Sequence, residues 1–107
     1  MLSKLFYIAL ILSIYQNKVM GGFDQVSTDL CKTALTAYIR ERNINISYLG
    51  ISSCETQVVA GINFKMQLNT VDGECGITLY RNFSNQHDLN RNNSNTCEKY
   101  FVAAEDN

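Results

Sequence analysis

Residues 62–69 read INFKMQLN, a stretch in which apolar and polar side chains alternate without interruption. The apolar positions are Ile62, Phe64, Met66 and Leu68. This period of two predicts an antiparallel strand with one buried face and one solvated face.

The chain after this strand continues the antiparallel pattern. Asp72 and Gly73 supply a hairpin turn, and residues 75–83 return as a strand with Ile77 and Leu79 on one side. A polar loop over residues 84–95 follows, and residues 96–102 are apolar and aromatic enough to predict a last strand.

The chain before this strand contains two kinds of apolar spacing. Apolar residues first recur at steps of three and four, at Leu30, Cys31, Ala34, Leu35 and Tyr38. This spacing predicts a helix over Thr28–Arg42, with Ser27 or Thr28 as its N-cap. Residues 44–59 then alternate with a period of two, which predicts one long strand bulged at Gly50.

One helix with an apolar stripe and a sheet with one apolar face bury each other when the helix lies across the sheet. The predicted class is therefore α+β, with one long helix packed across an antiparallel sheet of four to five strands.

Composition excludes several classes of protein. The chain has 107 residues, enough for one small domain, and its net charge of −1 offers no basic stripe for nucleic acid. Motifs for metal-dependent hydrolysis, phosphate loops and dinucleotide binding are absent from the sequence, so no cofactor is expected.

The N-terminus has the features of a secretory signal peptide. Residues 5–15 form an apolar run of 11 residues behind Lys4, too short for the roughly 20 residues of a membrane span. We expect residues 1–18 to be the signal peptide and residues 19–107 to be one domain, secreted or in a lumenal compartment. The alternative is an apolar helix or strand of the mature fold.

Four cysteines follow the predicted signal peptide, which indicates disulfides in an oxidising compartment. Geometry favours Cys31 with Cys54 and Cys75 with Cys97, if the latter two lie on adjacent strands, although this is one of three possible connectivities. A zinc site is less favoured because no C-x-x-C pair is present. Sequons at Asn45, Asn82 and Asn92 predict a glycoprotein.

The corner between the two central strands is unusually apolar. It reads Gln57, Val58, Val59, Ala60 and Gly61, whereas turn tips are usually polar. An exposed apolar tip favours a binding partner. The alternative is that the two valines are the last buried residues of a strand.

The string QVVAG at a first hairpin is the signature of the cystatin superfamily, and the chain resembles a cystatin-type inhibitor of papain-like cysteine proteases. Gly21 and Gly22, preceded by Val19 and Met20, resemble the N-terminal trunk of that family. The order of predicted elements also agrees over residues 19–102.

The resemblance implies a reversible, competitive and non-covalent inhibitor whose wedge enters the protease cleft. Val19 and Met20 would fill substrate pockets, Gly21 would let the chain turn away, and the QVVAG tip would cover the other side. The partners are papain-like proteases of the cathepsin type, and the expected state is a monomer, with a domain-swapped dimer as the alternative.

The second hairpin departs from the family pattern. Many cystatins carry Pro-Trp there, but this chain contains neither residue. In the predicted loop, His87 and Leu89 are the remaining candidates for protease contact, and a solvated side chain is the expected state of His87.

Two other functions remain as alternatives. An enzyme would need a free cysteine with His87 and Asp88, which an even number of cysteines disfavours. The second alternative is a secreted cystatin-fold binding module without inhibitory activity.

Overall fold

The computed structural model describes residues 22–104. One helix, seven strands and a single 3-10 turn make up this part of the chain: β1 (Asp24–Gln25), α1 (Thr28–Arg42), β2 (Ile44–Ile46), β3 (Gly50–Val59), β4 (Gly61–Thr70), β5 (Gly73–Arg81), β6 (His87–Leu89), the 3-10 turn (Glu98–Tyr100) and β7 (Phe101–Ala103). Within these residues, no helix is long and apolar enough to cross a membrane.

Five strands form one antiparallel sheet in the order β1-β3-β4-β5-β6. β2 and β7 form a separate two-stranded antiparallel sheet. Helix α1 packs against the main sheet, which confirms the predicted α+β class and is consistent with a cystatin-like fold.

The helix begins and ends where its sequence predicts. The Ser27 side chain accepts a hydrogen bond from the Asp29 N–H at 3.2 Å, and Asn43 ends the helix with a left-handed φ of 53°. Arg40 and Arg42 occupy the last turn, where the helix dipole favours positive charge.

The core lies between the helix and one face of the sheet. Phe64, Met66 and Leu68 of β4 are at most 4% exposed, as the alternation predicted, whereas Ile62 is only partly buried. From the helix, the buried residues are Cys31, Ala34, Leu35 and Tyr38.

Both predicted disulfides are present. Cys31 is bonded to Cys54, with 5.8 Å between their Cα atoms, and this bond joins the helix to β3. Cys75 is bonded to Cys97 with a Cα separation of 5.1 Å. The second pairing is right, but its premise is wrong, because Cys97 lies immediately before the 3-10 turn and not in a strand.

The predicted single strand over residues 44–59 is wrong. Its first part, β2, leaves the main sheet and pairs with β7, so that Ile46 faces Phe101. The bulge lies between Ile51 and Ser53, just after the predicted position at Gly50. The partner of β2 is more than fifty residues away in sequence, and local periodicity does not report such pairing.

The C-terminal region also differs from the prediction. The loop expected over residues 84–95 contains β6, and the last strand is only β7, preceded by the 3-10 turn. The chain after β6 covers the open edge of β5, because Thr96 and Cys97 donate their N–H groups to the Gly76 carbonyl at 2.8 and 3.2 Å. Hydrogen bonds from an irregular segment thus take the place of a further strand at this edge.

Candidate functional site

The first tip, residues 57–61, is the end of the hairpin formed by β3 and β4. Val58 pairs with Ile62 and Val59 with Gly61, which leaves Ala60 alone at the corner. Val58 is 45% exposed, Ala60 is exposed and Val59 is partly buried. The two valines do end a strand, as the alternative held, but Val58 is not a buried residue.

The partial exposure of Val58 follows from its place near the end of β3. Its side chain is on the same face as Cys54 and Thr56, the face that packs against the helix. Val58 therefore faces the helix side of the sheet, but the helix leaves it 45% exposed. An apolar groove between the helix and the hairpin continues from it, lined by Leu30, Ala37 and Phe64 among others.

Gly61 holds the turn in a conformation that other residues adopt only with strain. Its φ is +118°, and a Cβ atom at this position would lie against the Arg81 carbonyl oxygen and 2.8 Å from the Tyr80 ring. The Tyr80 hydroxyl donates a hydrogen bond to the Ala60 carbonyl. The tip is therefore tied to the neighbouring strand β5.

We expect Gly61→Ala to lower the free energy of unfolding by about 3 kcal/mol, because backbone strain and steric overlap add. Gly73→Ala is the matched control, since Gly73 has a φ of +113° but a Cβ atom added to it would have no neighbour within 4 Å. The control should lose only about 1 kcal/mol. Urea unfolding of both variants measures the difference, and equal losses would contradict the close packing at Gly61.

The second tip is Phe83, in the loop over residues 82–86 that joins β5 to β6. Arg81, the last residue of β5, pairs with Ile62, so this loop lies at the same end of the sheet as the first tip. The Asn82 carboxamide oxygen accepts hydrogen bonds from the Ser84 and Gln86 N–H groups at 2.9 and 3.0 Å. Phe83 itself is 84% exposed.

A shallow depression of about 280 Å³ separates the two tips. Val58, Val59 and Phe83 line it together with Asn82. The aromatic residue of the second tip was not predicted from the sequence. Phe83 lies two residues after the end of β5, and it can be recognised as a tip residue only once the end of that strand is known.

The N-terminal segment leads towards the same end. β1 is antiparallel to β3 and pairs Asp24 with Thr56. The same register, continued by two residues towards the N-terminus, places Gly22 opposite Val58. Gly22 is exposed. Val19, Met20 and Gly21, the rest of the predicted trunk, and the predicted signal peptide lie outside the described residues. We call Gly22, the first tip and the second tip together the tip end.

His87 is not the solvated loop residue that the sequence predicted. It belongs to β6 and is 6% exposed, and Leu89 is 7% exposed. The His87 ring Nδ1 lies 2.7 Å from Glu41 Oε2, and its backbone N–H donates to Glu41 Oε1 at 2.7 Å. The buried imidazole therefore joins β6 to the helix and is not presented to a partner.

Glu41 was not singled out from the sequence, because it reads as one of several charged residues on the open face of the helix. Burial acts to raise the pKa of the Glu41 carboxyl, and hydrogen bonds from the His87 backbone and ring act to lower it. The charges of His87 and Arg42 act in the same direction as these bonds, and the pKa is lowered from its ordinary value of 4.5. Arg42 also forms an ion pair with Asp88 at 3.0 Å.

The lowered pKa of Glu41 predicts a loss of stability in acid. A carboxyl with a depressed folded-state pKa stabilises fully above its ordinary value of 4.5, and that contribution falls as the pH drops through the folded value. Glu41→Gln keeps one of the two oxygens that contact His87 and removes the charge. We expect wild type to exceed this variant by about 1 kcal/mol at neutral pH, with the difference vanishing in stronger acid. Urea unfolding from pH 7 to pH 3 measures it, and a difference independent of pH would contradict the assignment.

The remaining predicted sites lie away from the tips. Asn45 is exposed in β2, and Asn92 is exposed in the turn after β6. All four cysteines are in disulfides, so the thiol required by the enzyme hypothesis is not free. Across residues 22–104, no three His, Cys, Asp or Glu side chains come together as a group able to hold a metal ion.

Comparisons of the chain with protein-family models, with curated proteins and with solved structures find no match. Function is therefore inferred from the residues of the tip end and from their sequence.

Proposed function

We propose that this chain is a reversible, competitive and non-covalent inhibitor of papain-like cysteine proteases. The observation that supports it best is the first tip. Its sequence QVVAG resembles the cystatin signature, and an exposed Val58 and Ala60 form a turn where polar residues are usual.

A wedge binds more tightly when its shape exists before binding. Gly61 and the Tyr80 hydroxyl hold the first tip, while the Asn82 side chain holds the second. A preorganised surface loses little conformational entropy on association, and more of the interaction energy remains as affinity. The two tips thus present exposed apolar side chains on either side of a depression that Arg81 and Asn85 also line.

The proposed binding energy comes from desolvation of apolar side chains. At about 25 cal/mol per Å² of buried apolar surface, the first tip alone supplies only a few kcal/mol. Phe83 is the largest apolar side chain at this end. An aromatic residue buries roughly 150–250 Å² when covered, so Phe83 adds a substantial contribution. In this proposal Val19 and Met20 supply the remainder by filling substrate pockets, and Gly21 turns the chain away from the catalytic thiol.

The proposed location is secreted or lumenal. The two disulfides are compatible with an oxidising compartment, in which papain-like proteases of the cathepsin type are the proposed partners. The proposal includes a signal peptide over residues 1–18 and glycans on the sequons at Asn45, Asn82 and Asn92.

Competition with substrate and mapping of the interface test the proposal together. The apparent inhibition constant for papain should rise linearly with the concentration of a fluorogenic peptide, and activity should return on dilution. Hydrogen exchange should slow at residues 58–62 and 82–86 when papain is added, but not at residues 70–73 in the opposite hairpin. Inhibition without protection of the tips would contradict the wedge, and protection without inhibition would favour a non-inhibitory binding module.

Phe83→Ala tests the second tip. We expect inhibition of papain to weaken about tenfold, which corresponds to roughly 1.4 kcal/mol. Stability should change little, because the side chain is 84% exposed. Leu49→Ala is the control, since Leu49 is 73% exposed but follows β2, outside the tip end. Equal inhibition by the two variants would remove Phe83 from the interface.

A further inference from the structure

One sequon lies inside the tip end. Asn82, Phe83 and Ser84 satisfy the acceptor pattern, and they form the first half of the loop that carries the second tip. The other two acceptors belong to different parts of the described chain: Asn45 to the small two-stranded sheet and Asn92 to the turn after β6. A glycan on Asn82 would thus stand directly on the proposed binding face.

The loop can carry a sugar without losing its shape. Glycosylation forms a bond between Asn82 Nδ2 and the anomeric carbon of an oligosaccharide, as the bond from that carbon to a lipid-linked pyrophosphate breaks and one amide proton is released. The modified amide keeps its oxygen and one N–H. The oxygen is the atom that accepts from the Ser84 and Gln86 N–H groups, and one N–H remains for the Gln86 side chain, 3.1 Å away.

The same modification is incompatible with burial of the tips. Asn82 lines the depression of about 280 Å³ between Val58 and Phe83, and an N-linked oligosaccharide is bulky and strongly hydrated. If these tips packed against the wall of a protease cleft, the sugar hydroxyls would lose their hydration without gaining hydrogen-bond partners, which is unfavourable. The glycan would also separate the two apolar surfaces.

We propose that N-glycosylation of Asn82 switches off the binding face, so that the chain is made in an inhibitory form without this glycan and a non-inhibitory form with it. This inference rests on the proposed function. Glycans at Asn45 and Asn92 leave the tips free and do not affect inhibition.

The test uses the full chain produced in a eukaryotic secretory host. Three variants each remove one sequon while keeping its asparagine: Ser84→Ala, Ser47→Ala and Ser94→Ala. Peptide mass spectrometry gives the occupancy of each asparagine, lectin chromatography separates the glycoforms, and titration of papain gives the inhibition constant of each.

We expect the form glycosylated at Asn82 to inhibit at least about 100-fold more weakly than Ser84→Ala, because the covered tips lose their contacts. Ser47→Ala and Ser94→Ala should leave that difference unchanged. Equal inhibition by Ser84→Ala and the Asn82-glycosylated form, or an Asn82 that carries no glycan in this host, would overturn the switch. Absence of inhibition by folded Ser84→Ala would instead overturn the proposed function, and the switch with it.

Discussion

Replacing Val58 and Val59 together by Asp is expected to weaken inhibition of papain by at least about 100-fold, or roughly 2.7 kcal/mol. Two carboxylates at the first tip would have to lose their hydration on entering the cleft, and nothing in an apolar contact compensates that cost. The fold should survive, because Val58 is 45% exposed and Val59 ends the strand. Inhibition is measured by titration with a fluorogenic peptide, and folding by circular dichroism and urea unfolding.

Val71→Asp is the matched control for this double variant. Val71 is 81% exposed in the turn between β4 and β5, at the opposite end of the sheet from the first tip. Val71→Asp replaces an exposed valine by Asp, as the double variant does, but outside the tip end. Inhibition by the control should equal that of wild type. An unchanged inhibition constant in the double variant would eliminate the wedge.

Removing the disulfide between Cys31 and Cys54 is expected to destabilise the fold strongly. The bond closes a loop with a sequence separation of 23 residues, and loop-closure entropy gives about 3 kcal/mol for such a loop. The double variant Cys31→Ala with Cys54→Ala should lose at least this much, because both residues are buried in the core. Urea unfolding without reductant measures the loss.

The second disulfide provides the comparison. The bond between Cys75 and Cys97 has a separation of 22 residues, so the entropic contribution is nearly equal. It joins β5 to the segment that covers the edge of that strand and not the helix to the sheet. Because the two loops are nearly equal in length, we expect a similar loss of stability when this bond is removed. A loss below about 1 kcal/mol for the first pair would show that the helix is held by packing alone.

Local signals in the sequence were sufficient for the helix and for the central hairpin. Caps and dipole charges lie within one turn of the helix ends, and Ser27 and Arg42 therefore marked its bounds correctly. The alternation through β4 predicted the burial of Phe64, Met66 and Leu68, because a sheet with one covered face imposes a period of two, but it missed the buried Asn63. The pairing of Cys31 with Cys54 followed from the face that the helix and the sheet share, whereas the pairing of Cys75 with Cys97 was right on a wrong premise.

Features that depend on distant partners were missed. β2 reads as the start of β3, but its pairing with β7 separates the two. β6 has only three residues, too few for a period to be recognised, and Glu41 on the helix holds it in place. His87 was therefore assigned to solvent. Phe83 was placed in a strand, whereas β5 ends at Arg81 and the Asn82 side chain starts the turn that follows.

Titration of papain with the purified protein beginning at Val19 tests the central claim most directly. Intact mass of the same sample verifies that both disulfides are formed, and circular dichroism verifies that it is folded. We predict saturable inhibition at a ratio of one to one, with the inhibitor recovered uncleaved. Full papain activity in a tenfold molar excess of folded, disulfide-bonded protein would contradict the proposed function.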